Sequence, residues 1–213
     1  MRITKYAHAC LTVSADDALL LIDPGAFGEL PDEALQPGLA AVVLTHDHYD
    51  HASPEHLAAL RKAHPQVPFF GTAKVAEVVP DAGIHVVQAG DSGTYGPFEL
   101  TFGGGDHALI HEQIPQAKNV TVQVNDALYH PGDSLVPPSG KVSVLATPIS
   151  GPWLKTGEAI DYVLASSAEH VVPIHDHLAS QTGKELSGKL LGGFAEQVGA
   201  AYTALAAGES LDV

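Results

Sequence analysis

The segment from Thr45 to His51 reads T-H-D-H-Y-D-H, with three histidines and two aspartates in seven residues, directly after the apolar run AAVVL. Imidazole and carboxylate are the ligands that suit zinc, iron and manganese. His46 and His48 lie two apart, so in extended backbone both point to one side. Asp50 and His51 follow after the chain turns and can address a second point. A solvated loop has no need of H-x-H-x-D-H behind a hydrophobic strand, whereas a metal site does.

Four ligands do not fill two metal sites. Three further candidates stand where an apolar strand gives way to a loop, the place where α/β sheets build their sites. FGGGDHALIH offers His107 or His111, and His107 is nearer the strand end. LYHPGDS offers Asp133, which also suits a turn in P-G-D-S. VVPIHDH offers His175 or His177, and His175 follows the apolar VVPI directly.

The elements that must position these side chains are short. MRITKYAHACLTVSADDALLLID reads as paired strands turning at Ala15-Asp16-Asp17. AAVVL suits a strand buried on both faces. SPEHLAALRKAHP predicts a helix with Ser53 as N-cap, Pro54 in its first turn and Leu57, Leu60 and Ala63 facing inward. PFFGT reads as a strand, and TAKVAEVV as a short helix stopped by Pro80. HVVQAG, FELTFGG, VTVQV and ALYH form a strand-rich middle. VSVLATPI and HVVPIHD read as strands around a helix in TGEAIDYVLASSA, with Ile160, Val163 and Leu164 on one face. A long helix is expected from Gly183 to about Ala207, then a closing strand at LDV. Strands in two batches, each with helices, predict an α/β, four-layer αββα sandwich of two mixed sheets, formed by a single domain over 1–213.

Composition narrows the function. Of 213 residues, 45% are hydrophobic and 16% charged, a globular balance. The formal charge of -15 repels phosphate backbones, which argues against sequence-independent nucleic-acid binding. A small anionic substrate stays compatible, because bound divalent metals reverse the local field. No apolar run is long enough to span a bilayer, and the N-terminus lacks a signal-peptide h-region. The sole cysteine, Cys10, forms no internal disulfide, so a reducing cytoplasm is the expected location. The expected partner is a small-molecule substrate, with neither nucleic acid nor membrane; a homo-oligomer stays open.

Taken together, these motifs resemble the metallo-β-lactamase-fold hydrolase superfamily, from the N-terminal strands to His175. D-P-G at Asp23 resembles its first motif. H-D-H-Y-D-H matches its H-x-H-x-D-H signature, and His107, Asp133 and His175 match its later ligand positions in order. AHACLTV, PGDS and PISGPWLKTGEAIDYV look most like the L-ascorbate-6-phosphate lactonase-like branch. The resemblance implies two divalent ions, with zinc the first expectation and manganese or iron also accepted. His46, His48 and His107 would hold the first ion, Asp50, His51 and His175 the second, and Asp133 would bridge them. It implies a hydrolase acting on a small ester, lactone or related acyl substrate. Its nucleophile would be a hydroxide shared by metals about 3.5–4 Å apart, with a pKa lowered toward about 7. The catalytic Asp50 would orient that hydroxide and take or relay its proton.

Other roles follow from the same likeness. Asp23 would orient a ligand histidine, although it could also cap a turn. His8 matches a histidine common in the lactonase-like branch, and a satisfied histidine between strands fits it equally. His130 and Asp106 are supporting candidates on proximity alone. In that branch the loop matching GPWLK borders the pocket. There Trp153, the only tryptophan, would form a wall, and Lys155 would pair with a substrate carboxylate or phosphate. Asn119 reads as structural. Some superfamily members cleave phosphodiesters or RNA, which the acidic charge disfavours here. A non-catalytic metal-binding relative would be expected to have lost ligands, whereas every ligand position is filled.

Overall fold

Short alternating apolar runs at the N-terminus make a hairpin stack rather than helices. In the computed structural model, which describes residues 1–213, these runs form β1 (Arg2–Lys5), β2 (Leu11–Ala15) and β3 (Ala18–Ile22), paired antiparallel. The chain then continues through β4 (Leu39–Val43), β5 (Phe69–Gly71) and β6 (Ile84–Val86), each parallel to the one before. The C-terminal β14 (Ser210–Asp212) returns to pair with β1, giving a first sheet in the order β14-β1-β2-β3-β4-β5-β6.

The second sheet repeats that logic. β7 (Ser92–Tyr95), β8 (Phe98–Gly103), β9 (Thr121–Val124) and β10 (Leu128–His130) form an antiparallel meander. β11 (Val142–Pro148), β12 (Ala168–Ile174) and β13 (Ala201–Tyr202) add on in parallel. In β8, Phe98, Leu100 and Phe102 are buried while Glu99 and Thr101 are exposed, the period-two pattern of a sheet with one face packed. Twenty buried residues from both sheets interlock as the central core. Two smaller clusters lie on the outer faces, one under α1 (Pro54–Ala63) and α2 (Ala73–Val78), the other under α3 (Thr156–Leu164) and α4 (Gln181–Ala195). Val42 and Val43 of β4 serve different clusters, so this strand is buried on both faces. This is the four-layer αββα sandwich.

The helices follow their local chemistry. Ser53 caps α1 by accepting the His56 N–H at 3.3 Å, and Leu57 and Leu60 face inward, but Ala63 is exposed. α3 buries Val163 as expected, together with Ala159 and Tyr162; Ile160 packs partly buried against the same cluster, and of the three expected residues Leu164 is the exposed one. Leu164 points outward, because the i, i+3, i+4 stripe begins at Ala159. The last helix is shorter than expected. α4 starts at Gln181 with Ser180 as N-cap and ends at Ala195, where a 3₁₀ turn and Gly199 in the left-handed region redirect the chain into β13. The sequence reading also missed β7, whose S-G-T-Y carries no apolar alternation to mark a strand.

Candidate metal centre

All the expected ligand positions lie at the C-terminal ends of strands. His46, His48, Asp50 and His51 sit on the loop after β4 in the first sheet; His107, Asp133 and His175 follow β8, β10 and β12 in the second. The structure gathers them into two groups, His46, His48, His107 and Asp133 in one, and His8, Asp50, His51 and His175 in the other. Within each group the ligand-capable atoms lie within 4.8 Å of one another. Asp133 also touches the second group. Its Oδ1 lies 3.1 Å from His51 Nε2, and its Oδ2 lies 3.0 Å from His175 Nε2 and 3.7 Å from His46 Nε2.

A network outside the two groups selects which ring nitrogen faces inward. Asp23 Oδ2 accepts from His51 Nδ1 at 2.7 Å, leaving Nε2 toward Asp133. The Thr45 hydroxyl donates its one proton to Asp23 Oδ2 at 2.7 Å, so its oxygen accepts from His46 Nδ1 at 3.0 Å and frees Nε2. His107 Nδ1 donates to the Ala108 carbonyl, and its Nε2 lies 3.1 Å from Asp133 Oδ2. Partners of this kind fix tautomer and ring orientation for metal binding.

His8 is placed differently from a ligand. Its Nδ1 accepts the His177 backbone N–H at 3.3 Å, so Nε2 carries the proton and donates it to Asp50 Oδ2 at 2.9 Å. The His8 ring also packs 3.9 Å, centroid to centroid, from His175. His8, Asp23 and His175 are three of only five non-glycine residues with positive φ, a costly conformation outside glycine. The backbone is thus strained where these side chains converge.

Charge is arranged for cation binding. Burial pushes the His46 imidazole well below its ordinary pKa, which favours its neutral, ligating form; burial does the same, less strongly, to His48 and His8. Burial alone would raise the Asp133 carboxyl, yet the His51 charge and the His107 hydrogen bond outweigh it and hold Asp133 well below the usual range. For Asp50 the opposing burial is overcome by the His8 hydrogen bond, and the pKa is lowered to about 2. Burial likewise opposes charge on His51, but Asp133 and then Asp23 raise its pKa well above the ordinary value. A cation between His51 and Asp133 would replace that proton.

The donor set fits metal ions. His51 Nε2, Asp133 Oδ1 and both ring nitrogens of His175 are buried with no hydrogen-bond partner. Each such atom costs about 1–3 kcal/mol if nothing satisfies it. Of these, His51 Nε2, Asp133 Oδ1 and one nitrogen of His175, on residue types that bind zinc, manganese or iron, would be satisfied by divalent ions.

The remaining candidates divide. His130 is fully buried; its Nε2 donates to the Ala9 carbonyl and its Nδ1 accepts the Gly132 N–H, bracing the turn before Asp133. Asn119 pins the same turn, accepting the Asp133 N–H at 3.0 Å and donating to the Pro131 carbonyl. Gly132, at φ +60, passes so close that a Cβ would lie 2.2 Å from Asn119 Oδ1. Trp153 lies against Asp133, with its indole N–H 3.1 Å from Oδ2. Lys155 is not drawn in. Its side chain is 83% exposed and pairs with Glu158 at the start of α3. Asp106 is likewise exposed and pairs with Lys118. His111 is exposed and accepts the Gln113 N–H, and the exposed His177 gives its backbone N–H to His8 and sets its ring edge-on to the His8 ring. Thr45, which no spacing in the sequence marks as functional, links Asp23 to His46 through its hydroxyl.

Known proteins share this architecture. The family model described as "Beta-lactamase superfamily domain" matches residues 2–175. Protein Rv0786c of Mycobacterium tuberculosis is 35% identical over 187 residues, covering 84% of this chain and 86% of its own. A UPF0173 metal-dependent hydrolase of Myxococcus xanthus is 26% identical over 196 residues, covering 81% of this chain and 69% of its own. Igni18, a metallo hydrolase from Ignicoccus hospitalis, has a similar fold, with a TM-score of 0.71 at 17% identity over 99% of this chain and 97% of its own.

Proposed function

This chain belongs to the beta-lactamase superfamily, and we propose that within it the protein is a binuclear metal-dependent hydrolase of a small ester, lactone or related acyl substrate. The observation that carries this reading is the pair of ligand groups meeting at Asp133, with buried ligand atoms that no protein group satisfies. The name of the Myxococcus xanthus relative supports metal-dependent hydrolysis.

His46, His48 and His107 would hold one ion, Asp50, His51 and His175 the other, with Asp133 between them. Divalent ions so bound, zinc first or manganese or iron, supply Lewis acidity that polarises a carbonyl oxygen and acidifies water. The chain's own residues do the rest. Asp23, Thr45 and the Ala108 carbonyl hold the three histidine rings in their ligating tautomers. His8 clamps Asp50 in its ionised form, so Asp50 acts chiefly as a hydrogen-bond acceptor that orients the attacking water. One member of each group, His48 and Asp50, is only partly buried, and between them Tyr49 is 59% exposed. Substrate reaches the centre from this side. The net charge of -15 favours acyl substrates over polyanionic phosphodiester chains.

The test is an assay of the metal-loaded protein on a panel of lactones, thioesters and phosphodiesters, together with metal analysis. We expect two divalent ions per chain, turnover of an acyl substrate, and a loss of about 10²-fold or more in Asp50→Ala. A reconstituted protein holding no stoichiometric divalent metal would overturn the mechanism. Full activity in Asp50→Ala with an intact metal pair would remove the role given to Asp50.

A further inference from the structure

We propose that Trp153 is a positioning residue for Asp133: its indole N–H fixes the carboxylate that the two ligand groups share. This deepens the binuclear reading and rests on it. Trp153 is the only tryptophan of the chain and lies in the loop between β11 and α3, only 6% exposed. An indole nitrogen can only donate, so its 3.1 Å contact with Asp133 Oδ2 has one direction. The ring meets His107 edge-on at 5.6 Å and 75°, and His175 at 5.5 Å and 72°. Trp153 therefore sits between one histidine of each group while bonding the carboxylate common to both.

The backbone of Asp133 is already tied, because its N–H donates to Asn119 Oδ1. Rotation of the carboxylate about its last torsion remains. The indole N–H occupies one lone pair of Oδ2 and stops that rotation, which keeps Oδ1 toward His51 and Oδ2 toward His107 and His175. A phenylalanine would fill much of the same space and remove this donor, leaving Oδ2 with its histidine neighbours alone. The loop is shaped for this contact. A Cβ on Gly151 would lie 2.9 Å from Trp153 Nε1 and 3.4 Å from His175 Cε1, so a side chain there would displace the indole nitrogen. Glycine two residues before the tryptophan is thus part of the same device.

The test uses the full chain stripped of metal, with cobalt(II) as the probe. Wild type, Trp153→Phe and Gly151→Ala are each titrated in competition with a chromogenic chelator. Circular dichroism and thermal melting of the metal-free proteins are recorded separately. In wild type, emission of the single tryptophan should be quenched in step with cobalt binding. Folded Trp153→Phe should bind cobalt about 10–100-fold more weakly, the usual effect of removing a partner of a ligand. The visible spectrum of its bound cobalt should also change, as Asp133 ligation relaxes. A tryptophan that merely packs would lower the melting temperature and leave affinity and spectrum untouched; that result, with two cobalt ions bound to wild type, would overturn this inference and leave the binuclear reading standing. Wild type binding fewer than two ions would overturn both. Where Trp153→Phe does not fold, Gly151→Ala carries the same criterion: wild-type affinity in that variant overturns the proposal.

Discussion

Asp23→Asn changes one atom of a fully buried side chain and should disturb the second ligand group. Asp23 Oδ1 accepts the Thr45 backbone N–H at 2.8 Å; Oδ2 accepts the Thr45 hydroxyl and His51 Nδ1, each at 2.7 Å. Asparagine keeps the shape and tolerates the left-handed backbone at this position, φ +48, but puts an NH₂ where one oxygen stood. With that NH₂ toward His51, the imidazole must accept at Nδ1, carry its proton on Nε2 and lose the lone pair that faces Asp133. With the NH₂ toward Thr45, two donors meet in a buried site. Hydrogen bonds to a charged group contribute about 1.5–3 kcal/mol. At about 2–4 °C per kcal/mol for a chain of this size, the metal-free melting temperature should fall by about 3–12 °C. Metal affinity should fall about 10–100-fold, or about 1.4–2.7 kcal/mol. Scanning calorimetry in chelator measures the first effect and chelator competition the second. A variant that melts with wild type and binds metal equally well would refute the idea that Asp23 sets the His51 tautomer.

Two further predictions address the supports of the site. Gly132→Ala would force a Cβ to within 2.2 Å of Asn119 Oδ1 and 2.7 Å of Thr45 Oγ1 at φ +60; we expect a loss of about 1–3 kcal/mol with reduced metal content, read by melting and metal analysis, and no change in either would contradict the packing argument. Asp176→Asn should destabilise the fold at neutral pH by about 3–5 kcal/mol, because it leaves the buried Lys5 ammonium without its carboxylate at 3.1 Å. Burial would raise the Asp176 carboxyl, but Lys5 and then Lys184 hold it below its ordinary value near 3.8. A depressed folded pKa gives stability that is present above the unfolded value and lost as pH falls through the folded one. Wild type should therefore lose stability more steeply than the variant below about pH 4, and parallel acid profiles would refute this.

The legible parts of this molecule are those written in local spacing. H-x-H-x-D-H and the acids and imidazoles at strand ends mark the seven residues that the fold brings together at the two groups. The sandwich was legible from two batches of strands with helices. What escaped depends on tertiary register. Thr45 gains its role only because β3 and β4 pair in parallel with Ile22 opposite Val43, which brings Asp23 beside it. The contact between His8 and Asp50 joins residues 42 apart through a left-handed turn that no local pattern announces. Lys155 shows the opposite failure. Its neighbour Trp153 turns inward to Asp133, while the lysine two residues on is spent on the first turn of α3.

Each ligand group draws on both sheets: the loop after β4 belongs to one, and His107, Asp133 and His175 to the other. Ions bound there would act as rivets through the sandwich. Neither layer alone could hold a complete set, so metal binding would stabilise the docked pair of sheets beyond what their shared core provides. At free metal about 1,000-fold above its Kd, one such rivet adds about 4.1 kcal/mol to the folded state. Chelation would then loosen the seam between the layers before it loosens either sheet, and hydrogen exchange should report that seam first.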